Sequence, residues 1–156
     1  MNHYTQILSY IKELAESDPL VNKVTQGNLE EVDFNKISLV PLVHITVNSG
    51  SFTNGKTVNF NIELAAMSII DNVNEQTTDE FYFNNSEVDI YNETLAILNR
   101  MFSVMVTDFT KAKIKASENP SYNKVDGVGA NGLQGWLLTF DVEIPNDKLS
   151  LCQYPI

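Results

Sequence analysis

The chain has 156 residues, 43% of them apolar and 19% charged, enough for one buried core and far from a disordered composition. Twenty acidic residues against ten basic ones give a net charge of -10, which excludes a nucleic-acid grip built on clustered Lys and Arg. The lone cysteine, Cys152, excludes an internal disulfide and a self-sufficient zinc site, and no run reaches the roughly 18 apolar residues of a membrane span.

The start, Met1 to Gln6, has neither the basic residues nor the apolar core of a signal peptide. A cytosol-like compartment is therefore expected, unless the protein leaves inside a larger particle. Residues 3 to 17 read as a helix, with Ile7, Leu8, Ile11, Leu14 and Ala15 at helical spacing and Ser17-Asp18-Pro19 as its stop. Leu20 to Gln26 reads as a short strand ending at Gly27. Asn28 to Asn35 reads as an exposed acidic turn or an outer strand.

Leu42 to Asp71 organises the rest. Val43, Ile45 and Val47 alternate with His44, Thr46 and Asn48, and Val58, Phe60, Ile62, Leu64 and Ala66 alternate with Asn59, Asn61, Glu63 and Ala65. Asn54-Gly55 lies between the two runs and suits the positive φ angles of a tight turn, so a long β-hairpin with one wet and one dry face is expected. Asn72 to Asp79 reads as a loop.

Ser86 with Asp89 resembles a capping box and opens the clearest helix. One apolar row runs through Val88, Tyr91, Leu95, Leu98, Phe102, Met105 and Phe109, and a second through Ile90, Thr94, Ile97, Met101 and Val104. Lys111 to Ala116 alternates as a short strand. Glu118 to Gly132, rich in Asn, Gly, Asp and Pro, reads as a long mobile loop. Trp136, Leu138, Phe140, Val142 and Ile144 then mark a final strand that stops at Pro145. The expected fold class is α+β: a mainly antiparallel sheet of about four strands with a long hairpin, and two helices packed on one face, in a single domain spanning 1–156.

The candidate chemistry is sparse. Gly127-Val128-Gly129-Ala130-Asn131-Gly132 formally matches a dinucleotide fingerprint, but a strand and not a helix follows it, so a hairpin loop is the better reading. Asp141 and Glu143 share one face of a strand and could split into acid and base for a small hydrolase, although acidic alternation more often marks a solvated face. Glu30, Glu31 and Asp33 lack the spacing of a calcium loop. His44 is expected on the polar side of its strand, with no nucleophile to activate. Neither cofactor nor metal is expected. Phe81-Tyr82-Phe83 cannot all enter one core from a strand, because neighbours alternate. They read as a loop wedged under the second helix or as an anchor for another subunit.

The helix Tyr4 to Glu16, the hairpin Val43 to Ile70, the segment Asn92 to Arg100 and the closing Gly135 to Asn146, followed by Cys152, together resemble the bacteriophage tail-terminator, tail-completion and head-to-tail joining (neck) proteins. The resemblance covers nearly the whole chain and rests on element order. It implies a virion protein of the tail or neck, assembled in the bacterial cytoplasm as a homo-oligomeric ring, a hexamer. Such a ring contacts tail-tube and connector proteins and lets DNA pass its lumen without specific binding. A ring needs two different patches on each subunit. The candidates are Phe52 and Asn54 at the hairpin tip, Phe81, Tyr82 and Phe83, and Tyr122 and Val128 in the long loop. The rival readings are a non-viral adaptor or ligand-binding module and the Asp141/Glu143 hydrolase.

Overall fold

A computed structural model describes residues 3–28, 40–69, 85–117, 120–128 and 132–146, with Asn85, Ser86 and Val128 described by backbone alone. They form α1 (His3–Ser17), β1 (Lys23–Gln26), β2 (Leu42–Thr53), β3 (Thr57–Ile69), α2 (Asn85–Lys111), β4 (Lys115–Ala116), β5 (Ser121–Val128) and β6 (Leu133–Pro145). The expectations for Glu30, Glu31 and Asp33, for Asn72 to Asp79, for the Ser86 side chain, for Phe81, Tyr82 and Phe83, and for Cys152 fall outside this description.

The class is α+β, with six strands instead of about four in a sheet that is mainly antiparallel, as expected, but mixed by one parallel pair. The order is β1-β2-β3-β6-β4, with β5 also on β6. β1 pairs with β2 in parallel, and every other pairing is antiparallel. Of the two strands beyond the expected four, β1 falls in the segment Leu20 to Gln26 read as a short strand, and β5 in the segment expected to be loop. Glu118 to Gly132 contains β5, whose Tyr122, Asn123, Lys124 and Val125 pair with Leu138, Leu137, Trp136 and Gly135. Its Asn and Gly residues hid this, because strand propensity mostly reports packing against neighbours and is easily overridden.

The expected strand Lys111 to Ala116 shrinks to two residues because α2 runs on to Lys111. Lys113 then takes a left-handed φ of 58°. The Lys113 N–H donates to Thr110 O and the Ile114 N–H to Phe109 O, a Schellman ending that turns the chain towards the sheet. At the hairpin turn Asn54 (φ 52°) and Gly55 (φ 64°) are both left-handed, as the Asn-Gly pair predicts.

Both helices cover one face of the sheet: α1 lies against β1 and β2, and α2 against β3 and β6. Ile7, Ile11 and Ala15 from α1 join Ile97, Leu98, Met101, Met105 and Phe109 from α2 in one cluster with Val43, Ile45, Ile62, Leu64, Leu138, Phe140 and Val142. Burying each such aliphatic side chain is worth about 1.5–3 kcal/mol. On α2 the buried face draws Ile90, Thr94, Ile97 and Met101 from one row and Leu98, Met105 and Phe109 from the other, while Tyr91, Leu95 and Phe102 stay half-buried and Val104 is exposed.

The hairpin is not simply wet on one side. Towards the tip its other face is polar, with Asn48 bonded to Asn61, and Asn59 to Ser51 and Thr53. Away from the tip Leu42, Ala65, Met67 and Leu133 form a second buried cluster. Gly135 lies where β6 crosses this region, and a Cβ there would come within 1.9 Å of the Ala66 carbonyl oxygen. Because backbone cannot yield as a side-chain tip can, Gly135→Ala is expected to cost about 3 kcal/mol, the upper range for overpacking. Urea denaturation should show this as a lower midpoint with an unchanged slope.

Candidate functional site

The residues singled out from sequence separate into two places. The first is the hairpin tip. Phe52 is 79% exposed, on the same side of the sheet as Phe60, whose ring meets Tyr4 edge-on at 6.4 Å. The tip is held firmly. Asn146 donates from Nδ2 to Gly55 O at 2.7 Å and from its backbone N–H to Lys56 O at 2.9 Å, so the end of β6 braces the turn.

The second place is a groove of about 510 Å³ between α2 and β5, lined by Asn92, Leu95, Ala96, Asn99, Tyr122 and Trp136. The Trp136 indole N–H donates to Tyr91 O at 2.9 Å, which leaves its ring as apolar wall. Lys124 lies over the Tyr91 ring at 4.5 Å and near Trp136 at 5.8 Å, a cation–π arrangement. Burial first, then the carboxylates of Asp126 and Glu87, push the Tyr91 phenol above its ordinary range. Tyr122 lines the groove from β5, and Val128 ends β5 opposite Leu133. The tip and the groove are separate patches. Phe81, Tyr82 and Phe83 lie outside the described residues.

Asp141 and Glu143 do share a face, but it is an open one, and both are exposed. Asp141 accepts from Asn61 Nδ2 at 2.8 Å, and Glu143 sits opposite Lys115. This is a solvated polar ladder and not a cleft. Among the described residues, no group of three or more His, Cys, Asp and Glu side chains could hold a metal ion. No described helix is long and apolar enough to cross a membrane.

His44 corrects the expectation of a polar-side residue, being only 1% exposed. Its Nε2 lies 3.0 Å from Gly27 O and its Nδ1 2.7 Å from Thr25 Oγ1. A carbonyl only accepts, so the neutral ring carries its proton on Nε2 and accepts from the Thr25 hydroxyl. The imidazole therefore clamps the end of β1 to β2, a role that alternation alone could not reveal.

Two further pairs were not legible. Asp18, taken only as a helix stop, has its buried carboxylate gripped by Arg100 Nε at 2.8 Å and by the second guanidinium nitrogen at 3.0 Å. Tyr10 donates its hydroxyl to Asp108, joining α1 to α2. Burial, then Asp108, pushes the Tyr10 phenol far upward. Either pair requires knowing which helix faces align.

Comparison with protein-family models and with curated proteins found no match to this chain.

Burial holds His44 below its usual pKa of 6.5, partly offset by the Gly27 carbonyl. A depressed folded pKa means that the unfolded chain binds the proton first, so stability should fall as pH drops below 6.5 towards the folded value. Unfolding free energies at stepped pH should show this slope, reduced in His44→Leu. The remainder would come from His3, which burial also lowers.

For Asp18, burial raises the carboxyl, but the Arg100 hydrogen bonds, the Leu20 N–H and the guanidinium charge outweigh it and hold the group below its ordinary range. Arg100→Met should leave that carboxylate uncompensated and cost about 2 kcal/mol. This is less than a fully buried pair because Arg100 is half exposed. Denaturant titration at pH 7 should show the loss, and it should shrink below pH 4 as Asp18 takes up a proton.

Proposed function

We propose that this chain is a structural subunit of a bacteriophage head–tail junction. On this reading it assembles as a homo-oligomeric ring that caps the tail tube or joins the tail to the capsid around a DNA channel. The observation that carries the reading is the agreement between the element order behind the resemblance and the folded arrangement. The helix at residues 3–17, the long hairpin, the second helix and the closing strand form one unit with both helices on one sheet face.

Several features support action by shape and self-association. The two carboxylates open to a hydrolase reading, Asp141 and Glu143, are both exposed, which is poor ground for the environment-split pKa values that acid–base catalysis needs. An exposed aromatic tip and an apolar groove on another flank supply two unlike patches of the kind a ring requires. A net charge of -10 would let DNA slide through a lumen without being gripped.

Tail-tube and connector proteins are the expected neighbours in the virion, and a sixfold ring is the expected form. One candidate docking element changes character. Residues 122–131 include most of β5, so deleting them would remove a strand from the sheet and not a loop.

Particles assembled without this product test the reading. Overlong tails would identify a terminator, and normal tails detached from filled heads would identify a joining protein. Infectious particles of ordinary morphology would sink both, and Asp141→Asn should leave particle yield unchanged.

A further inference from the structure

Phe52 is the most exposed large apolar side chain among the described residues. A single surface hydrophobe needs no explanation by itself. What sets Phe52 apart is the rigidity of its mounting. The turn beside it is closed by Lys56 N–H to Thr53 O at 3.0 Å. Asn59 bonds the Ser51 and Thr53 hydroxyls, and Asn146 bonds both Gly55 and Lys56 carbonyls. An aromatic ring displayed on a braced turn loses little freedom on binding, which is how a preorganised anchor gains affinity.

The α2–β5 groove offers the matching recess. It exists because α1 covers β1 and β2 while α2 covers β3 and β6, so the helix-side face of β5 projects beyond the second helix. Leu95, Ala96, Tyr122 and the spent indole of Trp136 give it apolar walls.

Charge selects this recess over its neighbour. The tip segment Ser51 to Thr57 carries one charge, Lys56. Beside the α2–β5 groove the carboxylates of Asp126 and Glu87 act on Tyr91, the Lys124 ammonium is seated over the Tyr91 ring, and the first half of α2 also carries Asp89 and Glu93. A second recess further along α2, between Phe102 and Ala116, is bordered by Lys113 and Lys115, which would repel Lys56.

We propose that Phe52 of one protomer inserts into the α2–β5 groove of a second copy of this chain, with Lys56 facing the acidic first half of that copy's α2. Anchor and recess are different patches, so the contact is heterologous and propagates head to tail until it closes on itself. It rests on the ring reading, for which it supplies the subunit interface.

Three samples test it by sedimentation velocity over a range of concentrations: wild type, Phe52→Ser and Asn99→Trp. The first substitution removes the anchor. The second fills the groove from an exposed rim position. Both side chains are exposed, so thermal unfolding should match wild type; Phe52→Leu keeps an apolar anchor and should weaken association without abolishing it.

Wild type should self-associate, and each variant should bind itself at least about thirtyfold more weakly, the loss typical of a buried aromatic hot spot. An equimolar mixture of the two variants should form a one-to-one dimer and nothing larger, because the groove of one and the anchor of the other survive. Phe52→Ser assembling like wild type would overturn this contact while leaving a ring intact. A mixture that stays monomeric while wild type associates would also overturn it, as would a wild type that stays monomeric throughout. Particle morphology would still judge the junction role separately.

Discussion

The structure depends on the pairing of β3 with β6, which runs without interruption from Thr57 opposite Pro145 to Ile69 opposite Leu133. These strands carry the centre of both buried clusters. Ile62, Leu64, Leu138, Phe140 and Val142 face the helices, while Ala65, Met67 and Leu133 face away from them. Register is therefore fixed from two sides at once. A slip by one residue would exchange the contents of the two faces and bring Asn61 or Asp141 under α2. The Gly135 approach to Ala66 tightens the same pairing to a point where no other residue type fits.

Polar groups then fasten the outlying elements to this frame. Arg100 reaches the carboxylate that follows α1, Tyr10 reaches Asp108, and His44 binds the end of β1. Each joins a piece of the N-terminal α1–β1 unit to something later in the chain. Such side-chain fastenings specify position more than they add net stability, since much of their interaction energy offsets lost hydration. Surfaces left outside this scheme are the ones that carry the functional argument. The tip and the α2–β5 groove are neither consumed by the core nor bonded to each other.

Much of the frame was legible because it follows simple periods. The α1 bounds, the Asn54-Gly55 turn and the alternation of β6 all come directly from spacing. Failures occurred where one residue obeyed two constraints. Ala65 and His44 occupy the polar slots of an alternating pattern, yet both are buried, because that end of the sheet is covered on both sides. β5 was missed because Asn123, Asp126 and Gly127 have loop-like composition, and only the ladder to β6 makes them a strand. The short β4 was overread because Lys113 adopts a helix-ending conformation usually left to glycine. Of the surface sites, Phe52 and Tyr122 were visible as aromatics in polar segments. The recess beside Tyr122 was not, since its walls come from α2, β5 and β6 together.

The β3–β6 ladder also governs when the molecule can exist at all. During synthesis β3 emerges long before β6, with α2, β4 and β5 intervening. Until that late strand arrives, the sheet side of α2 has only part of its partner surface, and the hairpin presents an unsatisfied inner edge. Distant pairing of this kind slows folding and prolongs the exposure of sticky edges. The nascent hairpin therefore stands as a temporary open-edged ribbon, and the whole fold is locked by one of its last pieces to appear.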